Sequence, residues 1–397
     1  MGRPIILLLA LVFLAPAPTS RAASRLGEVS FANSGAPAAQ APFIRGLALL
    51  HNFEYADAAI AFREAQAADP GFAMAWWGEA MSYNHPVWME QDADKARRAL
   101  ASFGPTPDVR LSKAGTEREK AYVHALETLY GAGDKKDRDL RYAEEMARLH
   151  ERFPADVDAT AFYALSLLGT AHEGRDFATY MRAAALLEEV FPTHPNHPGV
   201  LHYLIHCYDD PIHAPLGMRA ARLYGPLAAG APHALHMTSH IFIALGMWDE
   251  VIAANLAARG AGNDARRAKG LAPEPCGHSR EWLVYGYLQE RRLAEADAMI
   301  ADSRRMAVIE IARPPGPAAD RRWSELASYA DMATRSAIDT GRPAEPLPAV
   351  IEPADNEPAR FMLAYGEAMA APADSARLRA AFERLGALRR HVWPAPK

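Results

Sequence analysis

Residues 43–70 read FIRGLALLHNFEYADAAIAFREAQAADP, and their spacing decides the fold. Gly46 is followed by Ala58, Phe62, Ala65 and Pro70, so small, large and small apolar side chains recur about one helical turn apart before a proline. Counted from Ala58, the offsets are 4, 7 and 12 residues. They recur at Ala183, Leu187, Val190 and Pro195, and again at Ala220, Tyr224, Leu227 and Pro232. Such a stripe packs one face of a helix, and each proline is expected to stop that helix before the next begins. Further amphipathic helices are expected over 73–83, 199–208 and 236–245. No convincing alternating run appears, so strands should be scarce.

A helix–turn–helix unit with glycine, alanine, aromatic, alanine and proline at these spacings resembles the tetratricopeptide (TPR) repeat, whose period is about 34 residues. The chain also resembles exported bacterial TPR-repeat proteins of unassigned activity, through segments such as GLALLHNF at 46–53 and HYLIH at 202–206. The resemblance covers 43–306. It implies an all-α fold, a TPR-type helical-hairpin solenoid forming a right-handed superhelix, with a helical insertion (89–116) and C-terminal capping helices. The expected organisation is a signal peptide at 1–22, a flexible segment at 23–40, repeats at 41–340, a Pro-rich linker at 341–358 and capping helices at 359–397. Residues 259–275, rich in Gly, Ala and Pro, read as a solvent-facing connection.

Eight of the fifteen histidines lie between His194 and His240. In the resembled family the first helix of each repeat lines the concave groove. Carrying that register onto this chain puts His51, His85, His202, His206, His236 and His278 on the inward face, with His240 one position off it. Trp77, Glu281 and Tyr285 fall on the same face. His202/His206 and His236/His240 are also i,i+4 pairs, a spacing that stacks two imidazoles on one helix face where they can share a metal. The expected ligands are His202, His206, His236, His240, His85 and His51. Glu79, Asp209, Asp210, His213, His278 and Glu281 are expected behind them or along the groove, with Trp77 and Tyr285. The expected cofactor is a transition metal: zinc, copper or iron. His194 and His197 read as loop residues.

Other chemistries are excluded or unsupported. A net charge of −5, with 43 basic and 48 acidic residues, gives no field for nucleic acid. There is no His-Glu-x-x-His pattern, no phosphate-cradling glycine loop and no Gly-x-Ser-x-Gly elbow. The apolar run from Ile5 to Leu14, followed by Pro16, Pro18 and small residues, reads as a signal peptide cleaved after Ala22, hence a periplasmic or secreted protein without a membrane span. Cys207 and Cys276 could pair in such a compartment or remain inert. Two functions stay open: a metal site in the groove, with or without turnover, and a scaffold that binds a peptide or protein there without catalysis.

Overall fold

A computed structural model describes residues 25–273, 277–311, 324–345, 347, 357–373 and 375–392. The expected signal peptide, Cys276 and most of the expected linker fall outside them.

The first hairpin pairs α1 (Pro37–His51) with α2 (Tyr55–Ala68). Phe62 on α2 is fully buried, and α3 (Ala73–Met81) follows. A Cβ at Gly46 would lie 2.9 Å from the Phe62 ring, and one at Gly78 would lie 2.3 Å away. The two glycines therefore let α1 and α3 close on the same aromatic wedge. This is the physical content of the repeat pattern: truncating such a wedge costs about 3–5 kcal/mol.

After α3 comes a two-residue antiparallel pair, β1 (Asn84–His85) with β2 (Glu90–Gln91). The chain continues through α4 (Ala93–Phe103), α5 (Pro107–Lys113), α6 (Glu117–Leu129), α7 (Lys135–Arg152), α8 (Val157–Leu168) and α9 (Phe177–Val190). The helices that carry the site are α10 (Pro198–Tyr208), α11 (Ala214–Leu227), α12 (Pro232–Ala244), α13 (Trp248–Ala268) and α14 (His278–Gln289). Four more follow among the described residues: α15 (Leu293–Ile311), α16 (Glu325–Thr340), α17 (Glu357–Ala370) and α18 (Ala376–Val392). Apart from that short pair, the regular structure of the described residues is helical, and neighbouring helices pack consecutively. No described helix is long and apolar enough to cross a membrane.

Helix ends follow local chemistry. Thr116 and Glu119 form a reciprocal capping box at α6, and Asp134, Asp156 and Asp176 cap α7, α8 and α9. Pro198 and Pro232 open α10 and α12, where a missing N–H costs nothing. Pro232 thus starts a helix instead of stopping one. Residues 259–268, expected as a connection, continue α13, because their alanines and arginines favour helix enough to carry Gly260 and Gly262.

The longest-range packing brings α1 against α10. Gly199 makes this approach feasible, since a Cβ there would meet His51 Nδ1 at 2.3 Å. Along this contact the inward face is core, not an open groove. His51 and His202 have no exposed surface.

Candidate metal centre

The site is built on α12, α13 and α14 beside the end of α10, and the tautomers of its histidines can be read from their hydrogen-bond partners. α12 presents His236 and His240 one turn apart. The His236 Nδ1 lies 2.6 Å from Asn255 Oδ1 on α13. Asn255 is held in that orientation because its Nδ2 donates to the Val251 carbonyl at 2.8 Å. His236 must therefore donate from Nδ1. The His240 Nδ1 lies 2.7 Å from Asp209 Oδ2, at the end of α10. Burial alone would raise the Asp209 pKa, but the contact with His240 and the nearby Arg175 guanidinium outweigh it, and the net shift is downward. An ionised carboxylate only accepts, so His240 also donates from Nδ1.

Both Nε2 atoms are then bare in the neutral rings, and they face one another at 3.2 Å. Two lone pairs at that distance repel unless a cation lies between them. His278, at the start of α14, completes the group: its Nδ1 meets Glu281 Oε2 at 3.1 Å, and Glu281 Oε1 accepts from Ser328. Ligand atoms of His236, His240 and His278 all lie within 4.8 Å of one another. Trp282 covers them, with ring centroids 4.4–5.2 Å from the three imidazoles. His236 is buried, and burial holds its pKa well below the ordinary value, which disfavours the charged form of that ring.

A second cup adjoins the first. His202 on α10 donates from Nδ1 to the His51 carbonyl at 2.7 Å, which leaves its Nε2 bare, 3.1 Å from His206 Nε2. His233 on α12 joins them within the same 4.8 Å limit. Its Nε2 is buried without a hydrogen-bond partner. Burial lowers the pKa of all three, His202 to about 3. Phe53 lies 4.2 Å from the His202 ring, and 5.6 Å from those of His206 and His233. It adopts a left-handed backbone with φ of +57°, a conformation that costs a non-glycine residue about 1 kcal/mol. The preceding Asn52 fixes the turn by bonding the Leu26 and Ala48 carbonyls and accepting from Tyr224.

These cups fit a metal on chemical grounds. A tetrahedral ion with nitrogen ligands at ~2.05 Å separates neighbouring donors by roughly 3.3 Å, close to the observed spacing of the paired Nε2 atoms. Hydrogen bonds from the distal ring nitrogens to Asn255, Asp209, Glu281 and a carbonyl are the outer contacts that orient metal-binding imidazoles.

A third group, His51, Asp158 and His197, is built differently. His51 Nε2 and His197 Nε2 both reach Asp158 Oδ1, at 2.9 and 3.2 Å. His51 Nδ1 accepts from Tyr203 Oη at 2.9 Å, and His197 Nδ1 accepts the Val200 N–H as the cap of α10. Burial would raise the Asp158 pKa, but the two imidazole hydrogen bonds hold it below its usual range. Burial likewise brings His51 down to about 4. Every nitrogen here has a partner of the right kind, so the group is complete without an ion.

Among the expected ligands, the structure brings His202, His206, His236 and His240 together in two neighbouring cups. His51 stands behind His202 and offers it a carbonyl. His85 leaves the helical register because α3 ends at Met81. It stacks on Tyr55 at 4.0 Å, beside the cleft and outside both cups. Asp209 and Glu281 sit behind the imidazoles as expected, and His278 joins the ligand set itself. Glu79 bonds Gln66, Arg63 and Tyr83 away from the site. Trp77 is core, packed edge-on against Tyr122 and Phe162. Asp210 pairs with His213 and Arg175, and Tyr285 packs on Trp248 and Arg335. Cys207 is buried and has no disulfide partner among the described residues.

His233 was not among the expected ligands. Reading Pro232 as a stop removed it from α12, although 233, 236 and 240 follow helical spacing. His197 lies in the connection before α10, as expected of a loop residue, and caps that helix. No family model matches the chain, and no curated protein sequence matches it.

Proposed function

We propose that this is a TPR-type, exported protein that binds a transition metal through His236, His240 and His278. The observation that carries this reading is the 3.2 Å approach of the His236 and His240 Nε2 atoms, with Nδ1 of each ring directed at an acceptor. Zinc, copper and iron all suit three imidazoles, and three protein ligands leave a coordination position open. When bound, such an ion would supply Lewis acidity toward a small molecule. Asn255, Asp209 and Glu281 orient the three rings, and Trp282 keeps water off their faces. His278, whose side chain is 42% exposed, is the ring through which the site meets solvent.

The peptide-scaffold alternative is weaker. His51 and His202, two of the side chains expected to touch a peptide, are fully buried.

Elemental analysis of untagged protein, exported in its native compartment, tests the reading. Bound metal near stoichiometric amounts is expected, with loss of at least one equivalent in His240→Ala. Metal-free wild-type protein after soaking, or full metal in the variant, would falsify it.

A further inference from the structure

The adjoining cup has the same construction, and the two share a solvent cleft. The structure assigns a second metal site to His202, His206 and His233, so that the protein holds a pair of first-row transition ions, one in each cup. This rests on the reading of the first cup given above, and extends it from one ion to two.

Three observations carry it. First, His202 has spent its Nδ1 proton on the His51 carbonyl, so its bare Nε2 needs a positive partner, and His206 Nε2 is 3.1 Å away. A proton on His206 Nε2 could satisfy that one contact. It cannot satisfy His233, whose Nε2 is buried in the same cluster with no partner at all. An unpaired polar atom in such a place costs about 1–3 kcal/mol, which an ion shared by the three rings would remove.

Second, the cups face each other. The His206 and His240 ring centroids are 6.3 Å apart, and those of His233 and His236 are 6.4 Å apart. α10 and α12 each contribute an i,i+4 pair, and the N-terminal turn of α12 sends His233 across to the α10 pair.

Third, one open cleft of about 670 Å³ is lined by His233 of one cup and by His236 and His278 of the other. Phe53, Tyr55 and His85 line it as well. A purely structural ion has no need of such access. A small ligand entering here meets both cups together. The donors within each cup are imidazole nitrogens, and the carboxylates of Asp209 and Glu281 stand one hydrogen bond behind. That donor set suits zinc, copper, iron and nickel better than magnesium or calcium, which favour oxygen ligands.

The experiment is a metal count on the full chain, stripped with chelator, loaded with Zn(II) and desalted. Two equivalents are expected for the wild type. One is expected for His233→Ala and one for His278→Ala, with none for the double variant. Circular dichroism of each variant checks the fold, and His233→Gln keeps the test open if His233→Ala does not fold. A wild-type count of one, unchanged by either substitution at His233 and abolished by His278→Ala, overturns the second site and leaves the first standing. A wild-type count of zero overturns both.

Discussion

Two kinds of histidine cluster meet near α10 and answer the problem of burial in opposite ways. In the first, His51 and His197 donate to Asp158 while Tyr203 and the Val200 amide donate to them. Donors and acceptors balance, and the group is a closed hydrogen-bond network. In the second kind, the two neighbouring cups, the distal nitrogens of His202, His236, His240 and His278 are directed to acceptors, and the proximal ones converge within each cup. Proximity of three metal-capable side chains does not separate these cases, since both groups have it. The proton inventory does. A cluster whose hydrogen bonds close is structural; one that converges lone pairs on a point asks for a cation.

The largest expected effect is on stability. Asp158→Ala would leave two buried imidazole donors unpaired, at about 1–3 kcal/mol each, so urea denaturation should show a loss of roughly 2–5 kcal/mol. Metal content of the folded variant should not change. Loss of metal with Asp158→Ala would erase the distinction between the clusters.

Chelation should act on the other side of the comparison. At metal concentrations about 100 times Kd, binding stabilises the fold by ~2.7 kcal/mol, so chelator should lower the wild-type Tm. The shift should shrink in His236→Ala. Equal shifts in both proteins would place the stabilising ion elsewhere.

Asp209→Ala probes orientation without removing a ligand. Loss of an outer hydrogen-bond partner typically weakens metal affinity about 10- to 100-fold, measurable by competition with a chromophoric chelator. The smallest effect is expected from Tyr203→Phe, which deletes one hydrogen bond to His51. It should cost about 0.5–1.5 kcal/mol by denaturation, with metal affinity unchanged.

Much of this was legible in the sequence, and the misses share a cause. The recurring stripe around Ala58 and Phe62 marks helices that pack on their neighbours, and the two i,i+4 histidine pairs need only helical geometry. Repeat arithmetic also put His51 and Trp77 inward, but α1 closes on α10 and α3 on α6, so inward means buried in core. His85 was lost because adding a fixed period crosses the short β1–β2 turn. His233 was lost because Pro232 is equally a helix stop and a first-turn residue, and only the neighbouring chain decides. Periodicity reports which face a side chain takes. Which helix arrives on that face depends on contacts between distant segments such as 51 and 202. The tautomers depend on Asn255, Asp209 and Glu281, whose partners no local pattern reveals.

The central claim concerns where protons are absent, and nitrogen NMR of histidine-labelled protein reads that directly. In protein loaded with Zn(II) at neutral pH, His236, His240 and His278 should all carry the proton on Nδ1, with Nε2 shifted as a metal-bound nitrogen. Stripping the metal should abolish those Nε2 shifts. An imidazolium, or an Nε2–H tautomer, at His236 or His240 that persists unchanged in excess zinc would contradict the account.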